Sequence, residues 1–266
     1  MALNSIISLR KHNPDIIVCV ITNVSEFPPS LTSLGKIIWR YVPVSNQSNR
    51  NIKTRLIDYT EFNRSLYLDC DTLVNRDIFS GFFLLDYFDV AVRPHPTRKY
   101  NDYKGQYTIF GNTQRLSELP HWNSAVIFFK AGDNTQRFFS KWNSSYETLG
   151  IEFDQASLVE AFFLTPVRVC PLDSTWNCSY GGFVRTEDKN EVFVIHYASD
   201  IVQDIARDLT KINNQLDNYI GKDVDNEVFD FITARRSARK RKNKPNSDDA
   251  MKKYEPVPIT KLRGIS

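Results

Sequence analysis

The chain has 266 residues, 41% of them apolar and 24% charged, with a formal net charge of +3. These proportions exclude a disordered chain, a collagen-like repeat and a coiled coil throughout, and apolar runs such as 16–21 and 192–195 are too short to span a bilayer. The charge is uneven: residues 235–266 hold 11 Lys/Arg and 3 Asp/Glu, leaving 23 and 28 for residues 1–234, so a mildly acidic body precedes a basic tail.

Ala2, Leu3, Ile6 and Ile7 recur at helical spacing, and the pattern stops at Asn13-Pro14. The β-branched run 16–21 predicts a strand covered on both faces, and 36–42 a second strand. A helix is expected over 53–62, followed by strands at 65–69, 89–93, 125–129 and 192–196. Asp133 to Gln136 has the form of a helix cap, with Phe138, Phe139 and Trp142 on one face of the helix it opens. Asp154 opens another, with Leu158, Val159, Phe162 and Phe163 inward. Ile201, Ile205, Leu209, Ile212, Leu216 and Tyr219 mark a long helix ending near Gly221. Short apolar strands alternating with helices predict an α/β fold, an open and mostly parallel sheet. The polar, aromatic stretch 94–120 has the length of a functional loop. The domain expected is 1–234, with 235–266 as a mobile basic extension. Four cysteines without CxxC spacing, and no basic n-region before an apolar stretch, suit a cytoplasmic chain with reduced thiols.

The sharpest chemical signal is Leu66-Tyr67-Leu68-Asp69-Cys70-Asp71-Thr72-Leu73-Val74. An apolar strand runs into two aspartates one residue apart, and on an extended backbone such residues share a face. Two carboxylates held that close repel unless a cation joins them, and oxygen ligands suit Mn²⁺ or Mg²⁺ with substrate phosphates completing the shell. The plain alternative is a pair of solvated or capping aspartates after a strand.

Leu-Asp-Cys-Asp-Thr-Leu-Val resembles the Asp-x-Asp block of GT-A fold nucleotide-sugar glycosyltransferases. The resemblance continues through Trp122-Asn123-Ser124-Ala125-Val126, similar to the family's Asn-Ser/Thr-Gly-Val strand, through Phe153-Asp154-Gln155-Ala156, and through His196 at the end of an apolar strand. These blocks cover about residues 2–200 in order, and glycogenin-like retaining families are the most similar. The resemblance implies a Rossmann-like open mixed sheet flanked by helices, a metal held by Asp69, Asp71 and His196, and Asn123 and Ser124 beside the donor sugar. It further implies Asp154 and Gln155 near the reacting carbon, and a basic residue at the donor, for which Arg55 is preferred over Lys53. The donor would be a nucleotide-diphospho-sugar, a UDP-sugar by preference, and the acceptor a glycan, a glycolipid or a protein. Retention by front-face transfer is favoured, since the leaving phosphate then takes the acceptor's proton; inversion would recruit Asp154 or Asp173 as base. The chain departs from the family in His196-Tyr197-Ala198-Ser199-Asp200, where His-x-x-Gly-x-x-Lys is usual, in Ala125 for glycine, and in having no counterpart of the opening strand before Met1.

Two rival readings are a sugar-1-phosphate nucleotidyltransferase, which normally has a Gly-rich phosphate loop, and a non-catalytic nucleotide-sugar binder on a degenerate scaffold. Seven cations in 235–244 offer contact with an anionic membrane surface, which would place the protein peripherally there. No aromatics interleave them, so nucleic acid is not indicated. Trp122, Trp176, Tyr100, Tyr103 and Tyr107 are candidates to stack on sugar rings.

Overall fold

In a computed structural model of the full chain, the residues described are 2–43, 49–95, 107–109, 112–114, 119–149, 154–179 and 191–196. The chain divides into units of Met1–Lys211 and Ile212–Ser266, and every described residue lies in the first. The expected helix at 201–219 and the basic tail lie outside the described residues. No helix among the described residues is long and apolar enough to cross a membrane.

The first elements are α1 (Ala2–His12), β1 (Val18–Thr22) and β2 (Ile37–Tyr41), with β1 and β2 pairing in parallel. Asn13-Pro14 closes α1 as expected, and Arg10 secures the turn by donating to the carbonyls of Pro14 and Ile16. The strand expected to be covered on both faces is only half-buried at all five residues, because β1 and β2 form a two-stranded sheet of their own.

The helix expected over 53–62 is instead two short ones, α2 (Asn49–Lys53) and α3 (Leu56–Tyr59). Thr54 makes the break. It is wholly buried, and its hydroxyl lies 2.8 Å from both the Asn51 carbonyl and Asn143 Oδ1, its one proton shared between these two acceptors; a side chain that competes for backbone partners in this way bends or ends a helix.

Then come β3 (Arg64–Leu68), β4 (Thr72–Val74), α4 (Phe79–Phe83) and β5 (Val90–Pro94). After the hairpin of β6 (Tyr107–Ile109) and β7 (Asn112–Gln114) run β8 (Trp122–Lys130), α5 (Asp133–Leu149), α6 (Gln155–Leu164), β9 (Val169–Pro171), β10 (Cys178–Ser179) and β11 (Val194–His196). The central sheet has the order β3-β8-β5-β9, and a smaller one the order β10-β11-β4. The sheets are mixed rather than mostly parallel. β8 runs antiparallel to both β3 and β5, while β5 with β9 and β10 with β11 are parallel.

The sheet is covered on both faces, and β8 shows why. Val126 and Phe128 point into one apolar cluster with Leu9, Ile78 and Trp176, while Ile127 and Phe129 point into another with Phe138, Phe139, Trp142 and Leu158. Successive strand side chains alternate between faces, so a nine-residue run buried almost throughout needs helices on each side. The aromatic face of α5 is as expected, but Asp133 is the first helical residue rather than its cap. Phe163 is 42% exposed rather than inward: α6 is apolar on more sides than its neighbours cover. Trp176, considered as a sugar platform, is core; its ring stacks on Phe193 at 4.0 Å.

Candidate active site

The site gathers at the carboxyl end of β3. Asp69 to Thr72 is a turn rather than extended strand: the Thr72 amide and hydroxyl both donate to the Asp69 carbonyl, at 3.2 and 2.7 Å. The two carboxylates therefore converge by chain reversal, not by strand alternation. The chain then enters β4, too short for any periodicity to reveal, which pairs with β11 so that Thr72 faces His196. This register sets His196 Nε2 3.6 Å from Asp71 Oδ1. Ligand atoms of Asp69, Asp71 and His196 all lie within 4.8 Å of one another.

Across β3, the Asp69 amide donates to the Ala125 carbonyl at 2.9 Å. There β8 bulges: Val92 pairs with Ile127, yet the next residue, Arg93, pairs with Asn123. A bulge re-aims side chains locally. Asn123 Oδ1 stabilises it by accepting from the Ala125 amide at 3.0 Å, and Ser124 Oγ turns to 3.4 Å from Lys53 Nζ.

Lys53 is the basic residue of the cluster. Its ammonium lies 2.8 and 3.0 Å from the two carboxylate oxygens of Asp69 and 3.9 Å from Asp154 Oδ2. Burial pulls the Lys53 pKa down, but Asp154, Asp69 and Asp71 together outweigh it and leave it raised, so the ammonium stays charged. Arg55, preferred from sequence, faces elsewhere: it pairs with Asp58 at 3.0 Å and lies over the Tyr59 ring. The break at Thr54 separates the two residues. Tyr67 donates its hydroxyl to Asp69; burial and the neighbouring Asp69 charge hold that phenol well above its ordinary pKa.

Asp154 precedes α6 but does not cap it with its side chain. Its backbone is pinned instead, the carbonyl accepting from the Trp142 indole at 3.0 Å and from Ser157 Oγ at 2.7 Å. Its Oδ2 is buried without a hydrogen bond, as is Gln155 Oε1 beside it. Asp173, the other candidate base, is occupied in accepting from the Thr175 amide at 2.7 Å. Of the aromatic candidates, Trp122 packs on Phe162 at 5.1 Å, while Tyr100 and Tyr103 lie outside the described residues.

Three carboxylates, Asp69, Asp71 and Asp154, thus stand about one ammonium, with the His196 imidazole beside them. The balance of −2 and the mixture of carboxylate oxygen with imidazole nitrogen fit a divalent cation of the Mn²⁺ type. Buried polar atoms left without hydrogen bonds are costly, and Gln155 Oε1, with Asp154 Oδ2 held only by the 3.9 Å ion pair to Lys53, fits a site completed by ligand.

The model of glycosyl transferase family 8 matches residues 46–201, more than half of the chain. Among solved structures, the glycosyltransferase GlyE of Streptococcus pneumoniae TIGR4 is similar at a TM-score of 0.52 and 15% identity, covering 74% of this chain and 51% of that one. The bifunctional enzyme WbbM gives 0.50 and 13% identity, with 74% and 42% covered. LgtC, a galactosyltransferase solved with donor and acceptor sugar analogues, gives 0.48 and 16%, with 73% and 81% covered. The chain thus spans about half of GlyE and less than half of WbbM. No curated protein matches in sequence. The fold is of the GT-A type, and the chain belongs to glycosyl transferase family 8, a family of nucleotide-sugar glycosyltransferases.

Proposed function

We propose that this family member moves a sugar from a nucleoside-diphosphate donor to its acceptor with the help of a divalent cation held by Asp69, Asp71 and His196. The observation that carries this reading is the convergence of two carboxylates and one imidazole at a strand end, beside a charged lysine and buried polar atoms without hydrogen bonds. When bound, the cation supplies Lewis-acid stabilisation of negative charge on the departing diphosphate. Mn²⁺ suits the donor set best, with Mg²⁺ second.

The remaining roles belong to the chain's own side chains. Lys53 spans Asp69 and Asp154 and fixes both, and its charge favours the diphosphate nearby. The Asp154 carboxylate, whose Oδ2 makes no hydrogen bond and stands 3.9 Å from Lys53 Nζ, stabilises positive charge developing at the anomeric carbon, and Gln155 Oε1 accepts from a hydroxyl of donor or acceptor. Asn123 and Ser124, turned by the bulge, hydrogen-bond the sugar. Asp154 is paired with Lys53 and Asp173 is taken up in a turn, which supports retention, with the leaving phosphate accepting the acceptor's proton. A UDP-sugar is the favoured donor. The acceptor is a glycan, a glycolipid or a protein, reached in the cytoplasm, with the basic tail at an anionic membrane surface.

The test is release of nucleoside diphosphate from UDP-, GDP-, CDP- and dTDP-sugars in Mn²⁺ and in EDTA. Turnover of one donor only with metal, lost in Asp71→Asn at an unchanged melting temperature, supports the proposal. Metal-independent turnover, or full activity in Asp71→Asn, refutes it.

A further inference from the structure

Arg93 is a cation in the interior. It continues β5 directly from Val90, Ala91 and Val92, none of them exposed at all, and is itself only 4% exposed. An apolar side chain would pack there without the cost of desolvating a guanidinium, so its burial calls for a reason other than core filling. Its position gives one. Across the sheet, its partner in register is Asn123, at the bulge that turns Ser124 toward Lys53. In the other direction, its Nη1 donates to the carbonyl oxygen of Asn177.

Asn177 ends the short turn Ser174–Asn177, whose first half is secured by the Asp173 carboxylate and by a 2.9 Å bond from the Phe193 amide to the Thr175 carbonyl. Its own side chain does not hold the second half: it is wholly buried, and neither amide atom has a hydrogen bond. The two residues that follow are β10, where Cys178 lies opposite Ile195 and Ser179 opposite His196.

We infer that Arg93 is a positioning residue that ties the turn before β10 to β5, and so holds His196 in register with the bulge that carries Asn123 and Ser124. It acts on the site through β10 and β11 on one side. On the other it acts through β8, where the Ala125 carbonyl accepts from the Asp69 amide. Both ends of the Asp69–Asp71–His196 group are thereby referenced to one residue, by its backbone register with Asn123 on one side and by its guanidinium on the other. The inference rests on the reading of that group as a metal site.

The test is Mn²⁺ binding, read as loss of the free-ion electron paramagnetic resonance signal, in the full chain and in Arg93→Met and Arg93→Lys. Melting temperatures are taken in EDTA. Arg93→Met keeps the apolar stem while deleting the donor, and replacement of a buried ion by an apolar side chain is often neutral for stability. The expected result is an Mn²⁺ affinity about tenfold or more below wild type in Arg93→Met, in the range found for losses around metal ligands, with a smaller loss in Arg93→Lys. Wild-type affinity in a folded Arg93→Met overturns the inference. Should that variant fail to fold, Arg93→Lys decides: weakened binding at an unchanged melting temperature supports the role, and unchanged binding overturns it. Equal Mn²⁺ binding by wild type and Asp71→Asn overturns the metal reading and this inference together, whereas tight wild-type binding shared by Arg93→Met overturns this inference alone.

Discussion

Replacing Lys53 by methionine should separate stability from metal affinity. The side chain is 10% exposed and its ammonium touches both oxygens of Asp69 and approaches Asp154. Removing one partner of a buried ion pair costs about 3–5 kcal/mol, because the other charge is left uncompensated. Here the two acids differ: the Asp69 side chain is 23% exposed and water can solvate it, whereas Asp154 is 6% exposed and water cannot. The low end, about 3 kcal/mol, is therefore expected in EDTA, which lowers Tm by roughly 6–12 °C for a body of this size. Mn²⁺ should act in the opposite sense. Without the ammonium the local balance falls from −2 to −3 and Asp69 loses a competitor for its oxygens, so the variant should bind Mn²⁺ more tightly than wild type while turning over donor more slowly. A ligand at a hundred times its Kd returns about 2.7 kcal/mol, so saturating Mn²⁺ should restore most of the lost Tm. Differential scanning fluorimetry with and without the ion measures both effects. An unchanged Tm in EDTA, or weaker Mn²⁺ binding in Lys53→Met, would refute the account of this lysine.

Three further outcomes follow from the packing and the site. Burial opposes ionisation of Asp89, but hydrogen bonds from the Arg168 side chain and amide overrule it and hold the carboxyl down to about 2, against 3.8 unperturbed. Its stabilising effect is thus complete above pH 3.8 and lost as pH falls through 2, so the Tm gap between wild type and Asp89→Asn should be constant near neutrality and close over that window. A gap that widens on acidification would contradict the pairing. Gly81 lies in α4 where a Cβ would come within 2.3 Å of the Phe128 ring, itself boxed in by Phe82 and Trp176. Alanine normally gains about 1 kcal/mol over glycine in a helix, yet Gly81→Ala should lose about 1–3 kcal/mol by urea denaturation through overpacking; a stabilised variant would show that the contact relaxes freely. Asp154→Asn keeps the shape but removes the charge facing Lys53, and should lower kcat by tenfold or more with little change in KM for donor; a pure KM effect would assign it to binding.

The parts of the fold legible in the sequence were those with a strong local pattern. The aromatic face of α5 and the apolar run of β8 were found where expected, because each repeats its period over enough residues. The Asp-x-Asp at the end of β3, and Asn123, Ser124 and Asp154 from distant blocks, are brought to one place. What stayed hidden depends on contacts between distant residues. The choice of Lys53 over Arg55 turns on Thr54, whose hydroxyl finds Asn143 of α5 and breaks the helix; the sequence shows only a threonine in mid-pattern, with no sign of its burial. β4 has three residues and is a strand only because β11 pairs with it. The bulge in β8 leaves no periodic mark where the apolar run gives way to Asn123 and Ser124, and nothing local marks Arg93, at the end of the strand expected over 89–93, as a buried charge.

The most direct test of the central claim is a crystal of the full chain grown with Mn²⁺ and measured at the manganese absorption edge. The account predicts an anomalous peak among Asp69, Asp71 and the Nε2 of His196, absent from crystals of Asp71→Asn. A peak elsewhere, or none at saturating Mn²⁺ with donor present, would contradict it.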